Sequence, residues 1–453
     1  MFWQNLTKLF HPPRDKEPTA LTMPEIKFRI LVAEFSDDCD CSKGARLAQV
    51  LQNCEGIEII YCNEPADKSF LNLESRQIFD LLDNGQALLD KNRADVLIWG
   101  YRNDKQIRLN FQNRRQYEPD DDNFVLLLDS LYIPASSLDN ADTFPDSLAN
   151  LLYGAAISAV NRPEKEYRIY QKYLLKKIVS RLAQTDSAKE MGLEYLPYIL
   201  NFLGIIYMTL ARESTYEEDF KIIRNLFTGA LKYQNMIMQN THLGCINYHL
   251  GRLYENAALH INKKTSACLR GAIKNMQLAQ KYFGKYTYPY DYGYICYKLS
   301  ELYFLYWKQS EDLQALRDAV FQLREAEKIF TRVLFPDFWQ HIEGRLGYML
   351  QNLGNLTQSR DISQLAVNAY RNQQQIITER KQPELWARLQ NQIGEICYAQ
   401  GKFSEDSEYL EEALACFHDA LYIFEKSADN QMIKLVKANI AKSYNILSDL
   451  RNT

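Results

Sequence analysis

The 453-residue chain contains no apolar run near the roughly 20 residues that a helix needs to cross a bilayer. Its formal net charge is −4, so it lacks the basic excess that nucleic-acid-binding domains carry. Its nine cysteines are an odd number, scattered through a long chain without a secretory signal, which favours reduced thiols over a disulfide framework. These absences predict a cytoplasmic protein that does not bind nucleic acid.

The motifs of common catalytic and nucleotide sites are also missing. There is no Gly-x-Ser-x-Gly, no His-Glu-x-x-His and no phosphate-binding glycine loop. Cys39-Asp40-Cys41 is one close cysteine pair, but zinc needs four ligands and the six histidines are remote in sequence. The acidic run 118–122 lacks the alternating spacing of a calcium loop. We therefore predict no enzymatic activity, no cofactor and no metal.

A helical repeat runs from about Leu196 to the end of the chain. A small residue recurs at steps of 47 or 49, at Gly204, Gly251, Ser300, Gly347, Gly394 and Ala441. A second register contains Ala230, Ala279, Ala326, Gln373 and Ala420, and a third contains Pro289, Pro336 and Pro383. The small residue lets two helices approach closely, and proline suits the first turn of a helix, where its missing N–H is not needed. Each unit is therefore predicted to be a helical hairpin whose apolar face its neighbours cover.

The small residue followed by Tyr, the alanine register and the proline between hairpins resemble the tetratricopeptide repeat. That repeat is normally about 34 residues long. The surplus here lies either in a longer connection, such as 401–407, or in additional helical turns. Gly354 and Gly401 are predicted to end the second helix of a hairpin as left-handed caps. The resemblance implies an α-solenoid of about six hairpins over 191–453, preceded by capping or connecting helices over 144–190.

Residues 25–143 have the texture of a small α/β domain with a mixed sheet. We predict strands at 27–35, 56–62, 95–101, 106–111 and 124–128, with helices at 42–53 and 73–92. The strand ending in Ala33-Glu34-Phe35 and the phrase 94–100 (ADVLIWG) resemble the N-terminal domain of TolB-like and flagellar-accessory (FlgO-like) bacterial proteins. That resemblance implies a bacterial source and supplies no activity. Ser42-Lys43-Gly44 opens the first helix and is interpreted as a helix cap, with anion binding as the alternative.

Two segments are candidate contact surfaces. The third repeat is rich in tyrosine, which buries area at low entropic cost and is enriched at binding hot spots. Its candidate contacts are Tyr286, Tyr288, Tyr290, Tyr294 and Tyr297. If residues 1–10 form a helix, one of its faces carries Phe2, Trp3, Leu6, Leu9 and Phe10. This face is a candidate for contact with a partner protein or for weak peripheral contact with a membrane. The plainer interpretations are hairpin packing for the tyrosines and a frayed segment, followed by the linker 13–24, for the N-terminus.

The predicted function is a non-enzymatic scaffold or adaptor, which binds a peptide or helix of a partner protein on the solenoid surface. Two alternatives stay open. The α/β domain would bind a small molecule in a sensor, or residues 1–10 would place a peripheral assembly factor at a membrane.

Overall fold

The structure, a computed structural model, describes residues 27–36, 42–66, 75–118, 123–184, 192–237, 239–261 and 265–452. The chain divides into two compact units, Met1–Ile295 and Cys296–Thr453. The N-terminal candidates Phe2, Trp3, Leu6, Leu9 and Phe10 lie outside the described residues, as do Cys39-Asp40-Cys41 and positions 119–122.

The first unit opens with a mixed five-stranded sheet of order β2-β1-β3-β4-β5. Its strands are β1 (Phe28–Glu34), β2 (Ile57–Pro65), β3 (Val96–Arg102), β4 (Gln106–Asn113) and β5 (Ser130–Pro134). β1 is parallel to β2 and β3, and β4 is antiparallel to β3 and β5. Helix α1 (Lys43–Leu51) follows β1 and α2 (Ser75–Asn92) follows β2. The predicted order of strands and helices and the mixed sheet are confirmed.

The predicted strand at 124–128 is wrong, because this segment forms a turn before β5. The Leu126 N–H donates to the Asp129 carboxylate at 2.8 Å, and the Asp129 N–H donates back to the Leu126 carbonyl at 3.1 Å. The five side chains of the segment are all buried, which is why the run resembles a strand in sequence. The final strand begins at Ser130 instead.

Helices make up the rest of the described chain. In the first unit they are α3 (Asp146–Ala159), α4 (Lys165–Leu182), α5 (Leu196–Leu210), α6 (Glu217–Lys232), α7 (Asn240–His260) and α8 (Thr265–Tyr282). Helix α9 (Pro289–Ser310) spans the division, and α10 (Leu313–Glu327), α11 (Pro336–Thr357), α12 (Arg360–Gln373), α13 (Pro383–Ser404), α14 (Ser407–Ser427) and α15 (Asn430–Asn452) follow. The pairs α5/α6, α7/α8, α11/α12 and α13/α14 pack together. From α5 onward the described helices form five consecutive pairs, and α15 follows as a single helix.

One hydrophobic core joins the sheet to the first helices of the repeat. It runs from Phe28 of β1 through α3, α4, α5 and α6 to Leu253 of α7. Contrary to the sequence prediction, one apolar stretch, Leu193–Leu210, which includes α5, is long and apolar enough to cross a membrane, but 89% of it is buried inside the protein. The sheet and the first hairpin are therefore packed as one body.

The glycines of the repeat meet a large side chain on the paired helix. A Cβ atom added to Gly204 would lie 2.5 Å from the Phe227 ring, and one added to Gly394 would lie 2.6 Å from the Phe417 ring. The same close approach joins Gly251 to Met276 and Gly347 to Tyr370. Each large side chain is three residues before the second register of the repeat. This confirms that the small residue allows the two helices to approach.

We expect Gly394→Ala to lower the free energy of unfolding by about 1 kcal/mol. The added methyl group gains about 1 kcal/mol of helix propensity, but its collision with Phe417 costs about 1–3 kcal/mol. Urea unfolding followed by circular dichroism measures the difference, with Lys402→Ala on the exposed face of α13 as the control. Adding Phe417→Leu should restore part of the loss, whereas a more stable Gly394→Ala protein would show that the close contact is unnecessary.

Gly354 and Gly401 do not end helices. Both lie inside first helices of hairpins, where a Cβ on Gly354 would lie 2.6 Å from Ser363 Oγ. The left-handed caps are Gln358 (φ 52°) and Glu405 (φ 53°), each four residues further along. The prediction of glycine caps is therefore wrong, because these glycines serve the contact between paired helices.

The first helices of the later hairpins are long. α9, α11 and α13 each contain 22 residues, and each begins at the proline of the third register, as predicted. Only two residues connect α11 to α12, and two connect α13 to α14. The segment 401–407, which the sequence offered as an example of a longer connection, is mostly helical, because α13 runs to Ser404 and α14 begins at Ser407.

Candidate functional site at the third helical hairpin

Tyr286 and Tyr288 lie on the turn between α8 and α9. The Tyr286 side chain is 83% exposed. Tyr288 is half-buried, and its ring meets the buried Phe283 ring edge-on at 6.2 Å between centroids. These two predicted contact residues are therefore accessible, one fully and one in part.

The remaining three tyrosines are packing residues. Tyr290 and Tyr294 are buried, and the ring of Tyr117 lies 6.3 Å and 5.6 Å from theirs. Tyr297, in the second unit, is buried edge-on against Phe338 and hydrogen-bonded to His341 Nε2 at 3.0 Å. The predicted contact surface therefore contracts to the turn that carries Tyr286 and Tyr288.

Tyr117 connects the sheet to the start of α9. It lies between β4 and β5 with a left-handed backbone (φ 61°), and its ring is buried. Its hydroxyl donates to Asp291 Oδ1 at 2.7 Å. Burial raises the pKa of the Asp291 carboxyl to about 7, against the opposing effect of this hydrogen bond. Asp291 Oδ2 has no hydrogen-bond partner among the described residues.

A second buried polar cluster connects the turn before β5 with helices α5 and α7. His249 Nε2 of α7 lies 3.0 Å from both carboxylate oxygens of Asp129, and both side chains are fully buried. Asn201 of α5 donates to Asp129 Oδ1 at 3.2 Å, and the Phe227 ring stacks on His249 at 5.4 Å. Because both charged partners are fully buried, we assign the cluster to structure rather than to catalysis.

The N-terminus of α1 is occupied by a side chain of the protein itself. Glu34 Oε1 accepts from the Gly44 N–H at 2.9 Å and from the Phe35 N–H at 3.0 Å, and the Tyr61 hydroxyl donates to Oε2. A carboxylate at this position is favoured by the helix dipole. The position at which the alternative interpretation places a bound anion, at Ser42-Lys43-Gly44, is therefore occupied by the Glu34 carboxylate.

Two features of the described part of the chain bear on metal and small-molecule binding. No group of three or more His, Cys, Asp or Glu side chains there is arranged to hold a metal ion. Two cavities, one beside Ser214 and Asp219 and one beside Ser363 and Gln400, measure about 10 Å³ each. Each has space for roughly one water molecule.

The two most exposed large apolar side chains of the described residues are one repeat apart. Val333 is 86% exposed and Tyr286 is 83% exposed, and they are separated by 47 positions. Val333 lies on the turn between α10 and α11, followed by Leu334, which is 49% exposed. Arg380 takes the equivalent position in the next turn. Sequence reasoning missed Val333, although adding one repeat length to Tyr286 points to it.

Comparison with known proteins gives no relative: neither the protein-family models nor the curated proteins contain a match to this chain.

Proposed function

We propose that this protein is a non-enzymatic interaction scaffold, in which an α-solenoid of tetratricopeptide-like hairpins binds a peptide or helix of a partner protein. Under this proposal the sheet domain is of the TolB/FlgO-like type. The observation that supports it is the pair of highly exposed apolar side chains, Tyr286 and Val333, at equivalent turns of the repeat. Each turn is a contact point by itself.

The energetic argument is hydrophobic. Covering a fully exposed side chain of this size contributes about 1.5–3 kcal/mol to association, and about 1.4 kcal/mol is a tenfold change in affinity. Tyrosine adds a polar hydroxyl that can hydrogen-bond at the edge of a contact. A turn with one such side chain is therefore able to anchor a partner, whereas a turn with Arg380 at the same position contributes less.

We expect Tyr286→Ser or Val333→Ser to weaken partner binding by about tenfold or more, as removal of an interface anchor does. The full chain with an affinity tag captures partners from native-cell lysate, and quantitative mass spectrometry compares the variants with the wild type. Arg380→Ser is the matched control, because it changes the equivalent position of the next turn and should leave the partners unchanged. Circular dichroism first confirms that each variant is folded. Partners retained equally by both apolar variants would exclude these turns as the binding surface.

A further inference from the structure

We propose that the Tyr117–Asp291 contact is a latch on the third hairpin, closed while the Asp291 carboxyl is protonated and opened when it ionises. This inference rests on the proposed function, because it assigns a regulator to the turn that carries Tyr286 and Tyr288 and leads into that hairpin. We call this segment the tyrosine turn.

The geometry of the contact is that of an inserted side chain. Tyr117 reaches α9 from the connection between β4 and β5, 174 residues away in sequence. Its ring lies against Tyr290 and Tyr294, and its hydroxyl reaches Asp291 Oδ1 at 2.7 Å. The insertion holds Tyr117 at φ 61°, a backbone conformation that is strained for a residue with a Cβ. The latch is therefore closed by one side chain that carries backbone strain.

Asp291 is poorly prepared to hold a charge in the closed state. It is fully buried, and Oδ2 has no hydrogen-bond partner among the described residues. An ionised carboxylate in such a site keeps its desolvation penalty unless several donors compensate for it. An open state in which Tyr117 has left and water reaches the carboxyl would remove this penalty, so ionisation favours that state.

The groups around Asp291 shift its pKa in both directions. Asp129, on the turn before β5, raises the pKa of Asp291 through its charge. Burial raises the pKa of Cys245 of α7 and of Tyr288 of the tyrosine turn, and the charge of Asp291 raises both further. The hydrogen bond from Tyr117 and one from the backbone N–H of Asp291 itself both lower this pKa, and burial outweighs them.

Arg108 of β4 lowers the pKa of Cys245 and of Tyr288, and a second cation, Arg252 of α7, interacts with Tyr248 and with Tyr294. The NεH group of Arg108 donates to Ser130 Oγ at 2.9 Å. The causes of the Asp291 shift include no cation, and burial leads them.

The direction of the pH effect follows from linkage. The closed state has a pKa of about 7 at Asp291, and the open state returns to the ordinary aspartate pKa of 3.8. Opening releases a proton only between these values, so the opening constant should rise by about tenfold for each pH unit in that window and then level off. The latch is closed in acid and loosened near neutral pH, where the turn with Tyr286 and Tyr288 becomes free to rearrange.

Hydrogen exchange tests the latch without a partner. The Glu118 N–H is bonded to the Arg115 carbonyl at 3.1 Å, and the Tyr292 N–H to the Tyr288 carbonyl at 3.0 Å, so both amides report on opening. After correction for intrinsic exchange, we expect their protection factors in the full-length protein to fall about a hundredfold between about pH 5 and about pH 7. Protection that is constant with pH overturns the proposal.

Asp291→Asn is the matched variant, since its side-chain carbonyl still accepts from Tyr117 but does not titrate. We expect its protection factors to be flat over the same range, and a fall equal to that of the wild type overturns the proposal. If the variant does not fold, the ¹³C shift of the Asp291 carboxyl in the wild type decides: a midpoint near 7 supports the latch, and an ordinary aspartate midpoint overturns it. Because these measurements involve no partner, they fail independently of the Tyr286→Ser experiment.

Discussion

Replacing His249 by leucine is expected to lower the free energy of unfolding by about 3–5 kcal/mol, the cost of leaving one member of a buried polar pair alone. Asp129 would lose the imidazole that contacts both of its oxygens at 3.0 Å. It would retain the Asn201 amide and the Leu126 N–H as donors. The loss should be large because the carboxylate is fully buried and has no solvent to replace the imidazole.

The control for this prediction is His249→Gln. A glutamine amide supplies a donor at similar reach, so it should lose less than half as much stability as the leucine variant. Urea unfolding followed by far-UV circular dichroism measures both. A leucine variant as stable as the wild type would mean that the Asp129–His249 contact contributes nothing to the joint between sheet and helices.

Glu343→Gln should raise the free energy of unfolding of the second unit at alkaline pH and leave it nearly unchanged at acid pH. Glu343 of α11 is fully buried. Burial first, and then its hydrogen bond with Glu327 and the Glu327 charge, raise the pKa of Glu343 to about 8. Asn372 donates to its Oε2 at 3.3 Å and opposes the shift in part. Glutamine resembles the protonated acid in shape and hydrogen bonding, and it does not titrate.

The sign of the pH dependence follows from the raised pKa. The folded state keeps the proton up to about pH 8, whereas the unfolded chain releases it near 4.5. Wild-type stability from this group is therefore complete below about 4.5 and is lost as pH rises to about 8. The stability gain of Glu343→Gln should grow over this window to the order of 3 kcal/mol. Urea titrations at several pH values measure it, and a difference that does not vary with pH would contradict it.

The repeat could be predicted from sequence because its contacts are local and recur. A small residue and a large residue on paired helices are always separated by a similar number of positions, so Gly204–Phe227 and Gly394–Phe417 repeat the same contact. Helix starts at Pro289, Pro336 and Pro383 follow from the chemistry of proline itself. The positions of Gly354 and Gly401 were misread because a glycine needed for a close helix contact resembles one needed for a left-handed cap.

The contacts that depend on distant parts of the chain were not predictable. The run at 124–128 looks like a strand, but the Asp129 carboxylate holds it as a turn and is itself held by His249, 120 residues away. The third-repeat tyrosines could not be divided into packing and exposed residues, because Tyr117 is 174 residues from its acceptor Asp291. No periodicity in the sequence signals either contact.

The constant spacing between hairpins also bears on how this chain tolerates insertions and deletions. From the second register of one hairpin to the small residue of the next, as from Ala230 to Gly251, the distance is 21 residues at every step of the repeat. Within a hairpin it is 26 residues, except for 28 between Gly251 and Ala279. Those two added residues belong to the hairpin of α7 and α8. The spacing across the turns between hairpins is therefore constant, and the one change in length lies within a hairpin, which is where a reporter domain is best inserted.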